Sequence, residues 1–166
     1  MSKAADKPET FDGRAVDSVT CDRDVAKVAI LGVPDVPGIA ARLFSRLAER
    51  DIKVEMIIQS IMRGGVNDIA FLVRRDILGK AIEACREVAK EIGSQGVTFD
   101  AEIGRVTVTG PGVSERPEVP YQVFSTLAQE GINIDMISST HESITCVVES
   151  SDVERAAQAL RRCFLS

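Results

Sequence analysis

Residues 33–48 read VPDVPGIAARLFSRLA, and residues 52–57 then read IKVEMI. About 80 positions later the chain repeats this pattern, with PEVPYQVFSTLA over residues 117–128 and INIDMI over 132–137. A repeat of this size indicates two copies of one small domain. Two such copies create a seam between them, and seams between domains are favoured places for small ligands.

Composition limits the class of protein. The chain has 166 residues, 45% of them apolar, so it is long enough for two small domains with packed cores. A net charge of −5 and 4% aromatic residues provide neither the basic stripe nor the stacking platforms of a nucleic-acid-binding protein. No run of about 18 apolar residues and no signal peptide is seen, so neither a membrane segment nor secretion is expected.

The cysteines and the histidine do not form a metal-binding pattern. No two cysteines are spaced as a C-x-x-C pair, and the chain has one histidine, His141. We therefore predict no metal site, no cofactor and reduced thiols in the cytoplasm. The cysteines are Cys21, Cys85, Cys146 and Cys163.

The first copy predicts a βαββαβ unit. A β-rich run at 27–33 is followed by Pro37, which suits the first position of a helix, and by apolar residues at helical spacing. Strands are then predicted at 52–60, 68–74 and 96–103. A helix begins between the last two of these, with Asp76 as its cap, and ends at Gly93. This order is the split βαβ, or ferredoxin-like, plan of an α+β fold.

The second copy is one strand short. It predicts a strand at 105–110, a helix after Pro117, strands at 132–140 and 143–149, and a helix from Asp152 to Phe164, where the chain ends. Because open sheet edges tend to be covered, we expect the weakly alternating segment 14–21 to cross over and complete the second sheet. The alternative is an open edge with a loose N-terminus. The predicted organisation is a disordered tail at 1–13, a first domain at 22–104, and a second domain made of 14–21 and 105–166.

The sequence contains no recognisable catalytic set. It lacks a phosphate-binding P-loop, a dinucleotide-binding glycine fingerprint, a G-x-S-x-G elbow and an H-E-x-x-H motif. The short stretch Gly110-Pro111-Gly112 is interpreted as a turn, because Pro111 removes a backbone donor. An enzyme that acts unaided on a small acid is therefore the least favoured interpretation.

The loop before the first helix has the chemistry of an amino-acid site. The N–H groups at a helix start are unpaired and partly positive, so they hold a carboxylate well. Gly38 has no Cβ and permits close approach, and Asp35 could face an ammonium group. Gln59, at the end of the next strand, can donate to a ligand side chain or accept from it. The alternative is a capped turn, in which Asp35 bonds the following N–H groups and Gln59 is an ordinary surface residue.

The same residues resemble a known family. The stretch KVAILGVPDVPGIAARLF at 27–44, together with INIDMISS at 132–139, resembles the tandem ACT-domain regulatory region of aspartate kinase, and most closely its small β subunit. The resemblance covers roughly residues 15–164. It implies a pair of ferredoxin-like ACT domains, and a homodimer in which the first domain of one chain faces the second domain of the other. It also implies a larger catalytic subunit or domain as partner, which phosphorylates the side-chain carboxylate of aspartate with ATP.

The resemblance also implies an effector and its site. The effector is threonine, often with lysine, which acts in feedback inhibition of aspartate-family amino-acid biosynthesis. In the first domain the family's threonine pocket corresponds to a set of five residues, and the second domain contributes two. The five are Asp35, Gly38, Ile39, Ala40 and Gln59; the two are Asn133 and Ile134.

The second copy departs from the family pattern. Glu118 stands where the glycine of the first loop is expected and adds a negative charge, and Pro120 removes another donor. We therefore expect one class of effector site per chain, built by the first loop with help from Asn133. The runner-up interpretation is a free-standing ACT-domain sensor that controls another partner protein.

Overall fold

The computed structural model describes residues 14–60 and 64–166. The predicted tail at 1–13 and Arg63 of the predicted turn at 63–67 lie outside the described residues. The strands are β1 (Ser18–Asp22), β2 (Val25–Pro34), β3 (Glu55–Gln59), β4 (Val66–Arg74), β5 (Gly96–Asp100), β6 (Ile103–Thr109), β7 (Met136–Ser139) and β8 (Ser143–Glu149). The helices are α1 (Ile39–Glu49), α2 (Leu78–Ile92), α3 (Glu118–Gln129) and α4 (Val153–Phe164).

The strands form two four-stranded sheets. The first has the order β3-β4-β2-β5 and, with α1 and α2, makes the first unit; the second has the order β1-β6-β8-β7 and, with α3 and α4, makes the second unit. All pairings are antiparallel. The predicted α+β fold with two ferredoxin-like units is therefore confirmed.

The crossing of the N-terminal strand is also confirmed. β1 pairs with β6 from Ser18 opposite Thr109 to Asp22 opposite Arg105, so it takes the position in the second sheet that β5 takes in the first. Two glycines make room for the segment before β1. A Cβ on Gly110 would lie 2.3 Å from the carbonyl oxygen of Ala15, and one on Gly112 would lie 2.5 Å from the Ala15 Cα.

Element bounds differ from the sequence prediction at several places. Asp22 is the last residue of β1, and β6 begins at Ile103, so Asp22, Ile103 and Gly104 all belong to the second sheet. The third and seventh strands are shorter than predicted, because residues 52–54 and 132–135 precede them as loop. Asp76 does not cap α2: it lies in a 3-10 turn (Arg75–Ile77), and the helix has no side-chain cap.

Each unit has its own core between its sheet and its two helices. In the first unit Leu43 and Leu47 of α1 and Val88 of α2 pack on Ile30 and Phe71 of the sheet. This arrangement follows from the helical spacing of the apolar residues and the alternation of the strands. The second unit has an equivalent core, to which the N-terminal segment contributes Val16 and Val19.

A third, smaller cluster joins the two units. Val25, Leu72, Ile103, Met136 and Val147 are all buried in it. These side chains come from both sheets, so the units pack against each other inside one chain.

Ion pairs flank this contact between the two units, which is called the seam below. Lys27 Nζ lies 2.6 Å from Asp135 Oδ2, and Asp22 Oδ2 lies 2.6 Å from Arg74 and 3.3 Å from Arg105. The hydrogen bond from Arg74 lowers the pKa of Asp22 below its ordinary value, against a smaller opposing effect of burial. The seam therefore combines apolar burial with charge pairing across the two units.

Candidate functional site

A bulge at the end of β2 sets the course of the loop 34–38. The ladder between β2 and β4 shifts between Ile30 and Val33, and Gly32 in the bulge has φ +63°. Bulges bend a strand and redirect the chain that follows. The loop is then tied to the β3–β4 hairpin, since the backbone N–H of Asp35 donates to Gly65 O at 3.1 Å.

Helix α1 begins without a cap. Gly38 is its first flanking residue, with φ +91°, a conformation that favours glycine, and no side chain bonds the helix start. The first backbone bond of the helix runs from the N–H of Arg42 to Gly38 O at 3.0 Å. The N–H groups of the first turn are therefore left without a side-chain acceptor. The capped-turn alternative, in which Asp35 bonds these groups, is wrong.

The loop 34–38, the start of α1 and the ends of β3 and β4 enclose a small cavity, called the first-loop cavity below. Its volume is about 220 Å³, below the ~300–1,000 Å³ typical of drug-sized sites, and suits a ligand of a few heavy atoms. The structure brings Asp35, Gly38, Ile39, Ala40 and Gln59 together in its lining. The remaining lining residues are Val33, Pro34, Val36, Ala41, Asn67 and Ile69.

The charges around the cavity suit a zwitterion. The Asp35 carboxylate is exposed and makes no hydrogen bond or ion pair with any residue the structure describes. Gln59 is also exposed, and its side-chain amide makes no hydrogen bond with any described residue. At Gly38 the space that a Cβ would occupy is open. The cavity lining thus combines an uncapped helix start, an unpaired carboxylate and an exposed side-chain amide.

Sequence reasoning missed Asn67. This residue is 5% exposed, lines the cavity, and its Oδ1 atom is buried with no hydrogen-bond partner. The predicted strand began one residue later, at Asp68, so Asn67 fell in the turn. The signal that could have found it is the alternation of β4, in which Asn67 is in phase with the buried Ile69 and Phe71.

The two second-unit residues of the predicted site lie elsewhere in the same chain. Asn133 and Ile134 are in the loop between α3 and β7. Ile134 lines a different cavity of about 470 Å³ at the seam, beside the paired Lys27 and Asp135. Neither residue lines the first-loop cavity within one chain.

The corresponding loop of the second unit has different chemistry. A cavity of about 440 Å³ lies there, lined by Pro117, Pro120 and Arg116 among others. Helix α3 begins after Pro117 in right-handed helical geometry and carries Glu118 in its first turn. The positive end of this helix therefore already has a carboxylate in its first turn, whereas the first turn of α1 carries no acidic residue.

Within residues 14–60 and 64–166, no three metal-ligating side chains of histidine, cysteine, aspartate or glutamate come together. No helix there is both long enough and apolar enough to cross a bilayer.

Comparisons with known proteins agree with this architecture. A family model for the ACT domain matches the chain twice, over residues 28–88 and 106–164. An aspartokinase from Mycolicibacterium smegmatis is 34% identical over 175 residues, which cover 98% of this chain and 42% of that protein. The chain spans less than half the length of the curated relatives it matches.

Two solved structures are similar to this chain over nearly the whole length of their own matching chains. The regulatory subunit of aspartate kinase from Thermus thermophilus, in a ligand-free form, is 37% identical with a TM-score of 0.85, covering 90% of this chain and 99% of the other. A chain from a structure of aspartokinase alpha and beta subunits is 31% identical with a TM-score of 0.84, covering 91% of this chain and 99% of the other.

Proposed function

This chain belongs to the ACT-domain family, in the group of regulatory subunits and regulatory regions of aspartate kinase, and from that premise we propose that it is an amino-acid sensor that inhibits the kinase. The observation that carries the proposal is the first-loop cavity. Its lining includes both an uncapped helix start and an unpaired aspartate, in a space of about 220 Å³.

The proposed ligand is threonine; lysine, the second effector that the family resemblance implies, is included in the binding test below. The α-carboxylate would accept hydrogen bonds from the first-turn N–H groups of α1, and Asp35 would pair with the ammonium group. Gln59 would contact the ligand's side chain or close the cavity toward solvent. The small volume favours a short side chain, which is why we place threonine first.

We propose one class of effector site per chain. In the second unit the two prolines remove backbone donors, and Glu118 would repel a ligand carboxylate. That loop is therefore expected to bind an α-amino acid poorly.

We further propose that the sensor works as a homodimer, with the first unit of one chain facing the second unit of the other. Support comes from the sheet edges. β3 and β7 each form one of the two edges of their sheets, and each exposes a large apolar residue, Ile57 (54% exposed) on β3 and Ile137 (48%) on β7. Open edges of this kind tend to be paired. Pairing them between chains would bring Asn133 and Ile134, which precede β7, toward Gln59 at the end of β3.

The partner we propose is a catalytic aspartate kinase subunit or domain, which transfers a phosphoryl group from ATP to the side-chain carboxylate of aspartate. Support comes from the regulatory subunit and the alpha and beta subunits named for the two solved structures. Ligand binding would shift the kinase toward a poor conformation, with a coupling of about 1–3 kcal/mol that must be reciprocal. The alternative, a free-standing sensor for another protein, is separated by a pull-down: recovery of a kinase-sized partner supports the kinase. The cytoplasmic location stays a prediction from the sequence.

The binding test is a thermal-shift panel of threonine, lysine, methionine, isoleucine and aspartate. At 100-fold over Kd, a ligand adds about 2.7 kcal/mol of stability, which for a chain of this size raises Tm by roughly 5–11 °C. Asp35→Ala should abolish the shift. Asp76→Ala is the matched control, because Asp76 is also exposed and has no recorded partner among the described residues. A full shift in Asp35→Ala would show that the cavity is not the amino-acid site.

A further inference from the structure

Asn67 interrupts an otherwise apolar row. Every second residue of β4 from Asn67 onward faces the helices. The next three of these, Ile69, Phe71 and Val73, are buried in the core of the first unit. Within residues 14–60 and 64–166, Asn67 is the one polar or charged residue that is buried. The row therefore changes from hydrocarbon to amide at the place where it reaches the first-loop cavity.

The buried amide is not explained by the protein's own contacts. Its Oδ1 atom has no hydrogen-bond partner, although buried polar atoms in folded proteins are nearly always paired. A leucine would continue the apolar row without leaving an acceptor unpaired. Among the residues that the structure describes, one further side-chain oxygen is buried and unpaired, Ser94 Oγ; it lies beyond the end of α2 and does not line this cavity. Asn67 is one of the residues that line the cavity, and its buried, unpaired acceptor is suited to a donor on a ligand that enters there.

We propose that Asn67 determines which amino acid the cavity accepts, by accepting a hydrogen bond from a donor on the ligand's side chain. This inference rests on the proposed function, since it needs an α-amino acid in the first-loop cavity. With the carboxylate at α1 and the ammonium group at Asp35, the floor formed by Val33, Asn67 and Ile69 is left for the side chain. The floor offers two hydrocarbon surfaces and one acceptor. The floor should therefore bind a short branched side chain with a hydroxyl more tightly than a hydrocarbon side chain of the same shape.

The test compares isosteric ligands by titration calorimetry on the full chain. Threonine and valine have nearly the same shape, and differ in that threonine can donate to Oδ1. We expect threonine to bind about ten- to a hundredfold more tightly than valine, because valine leaves a buried acceptor unpaired. Serine should likewise bind more tightly than alanine.

Asn67→Leu should abolish this discrimination. Threonine affinity is expected to fall by about the same factor while valine affinity changes little, so that their ratio approaches one. Asn67→Ala, which adds no bulk, should give the same ratio and serves if the leucine variant does not fold. Ser94→Ala is the matched control: it removes the other unpaired buried oxygen and should leave the ratio unchanged.

A purely structural role for Asn67 predicts a different readout. If the amide supports the fold, Asn67→Leu should lower the Tm of the ligand-free protein. If it serves the ligand, that Tm should stay the same or rise, because an unpaired buried amide is replaced by hydrocarbon.

The outcomes separate this inference from the function it rests on. If threonine and valine bind the wild-type chain equally, or if Asn67→Leu keeps the preference, the role of Asn67 is wrong and amino-acid sensing stands. If no amino acid of either panel binds, the sensing function fails, and the role of Asn67 fails with it.

Discussion

Replacing Gly110 with alanine tests the crossing of the N-terminal segment onto the second unit. The new Cβ would lie 2.3 Å from Ala15 O, 2.6 Å from Val16 Cα and 2.9 Å from Asp17 N, so backbone must move by about 1 Å to restore ordinary contact. The displaced segment carries two backbone hydrogen bonds, from the N–H of Asp17 to Thr109 O at 2.8 Å and from that of Gly112 to Ala15 O at 3.0 Å.

The expected cost follows from these contacts. Each hydrogen bond contributes about 1 kcal/mol net. Losing half the burial of Val16, which is 1% exposed, costs about 1 kcal/mol more. The total is about 3 kcal/mol, which corresponds to a fall in Tm of roughly 6–12 °C in a chain of this size.

Calorimetric melting of Gly110→Ala beside Gly79→Ala provides the assay. Gly79 lies in the first turn of α2, and a Cβ there meets nothing within 4 Å. Alanine at that position should leave Tm unchanged or raise it by up to about 4 °C, because it limits the unfolded chain more than glycine does. A Gly110→Ala protein that melts within 1 °C of the wild type would show that residues 15–17 do not pack against this turn.

Two further predictions concern thiols and acid. Burial raises the pKa of Cys85 to about 12 and that of Cys146 to about 11, whereas Cys21 and Cys163 are exposed. A thiol reagent at pH 8 should therefore label two thiols in the native protein and four after unfolding. Rapid labelling of a third thiol in the native protein would contradict this burial. The pKa of Asp22 is held below its ordinary value by an arginine, so its contribution to the free energy of unfolding is present at neutral pH and is lost as pH falls below about 4. Urea unfolding should show Asp22→Asn less stable than wild type by about 1 kcal/mol at pH 7, with the difference shrinking at pH 3; a difference that stays constant would remove Asp22 as its source.

Periodicity predicted the elements of the fold because burial dictates it. The spacing of Ile39, Leu43 and Leu47 matches a helix with one apolar face, and both leucines are buried as that pattern requires. The missing fourth strand of the second copy predicted the crossing of β1, since an open edge is unfavourable. Repetition and edge pairing were thus sufficient for the topology.

Element ends could not be predicted in the same way. Asp76 is a residue type typical of a helix cap, yet the chain makes a 3-10 turn there and α2 starts later. Ile103 continues an apolar pattern after β5, but it pairs with Glu149 in the other sheet. The N–H of Arg75 donates to Asp24 O at 3.0 Å, and Ile103 is paired in β6 with β8. Both contacts join residues distant in sequence, which local propensity does not contain.

The loop residues of the candidate site could be predicted from the sequence, and its buried residue, Asn67, could not. A proline, a glycine and an aspartate before a helix mark a loop whose chemistry can be read directly. Asn67 gives a weaker mark: the alternation of β4 puts it in phase with the buried Ile69 and Phe71, but it follows two glycines and was predicted to lie in the turn. Only the pairing of β4 with β2, which places Asn67 opposite Val33, shows that its side chain lies beneath the loop.

The two helix starts explain why one copy would sense and the other would not. α3 has Glu118 in its first turn, so the positive end of that helix is stabilised from within the chain. α1 has neither an acidic residue in its first turn nor a side-chain cap, and a cap typically contributes about 1 kcal/mol. A ligand carboxylate at α1 would supply the stabilisation that the sequence omits there. Binding energy would thereby add to the stability of the first unit, and the omission of an ordinary cap would be what makes that unit responsive to an amino acid.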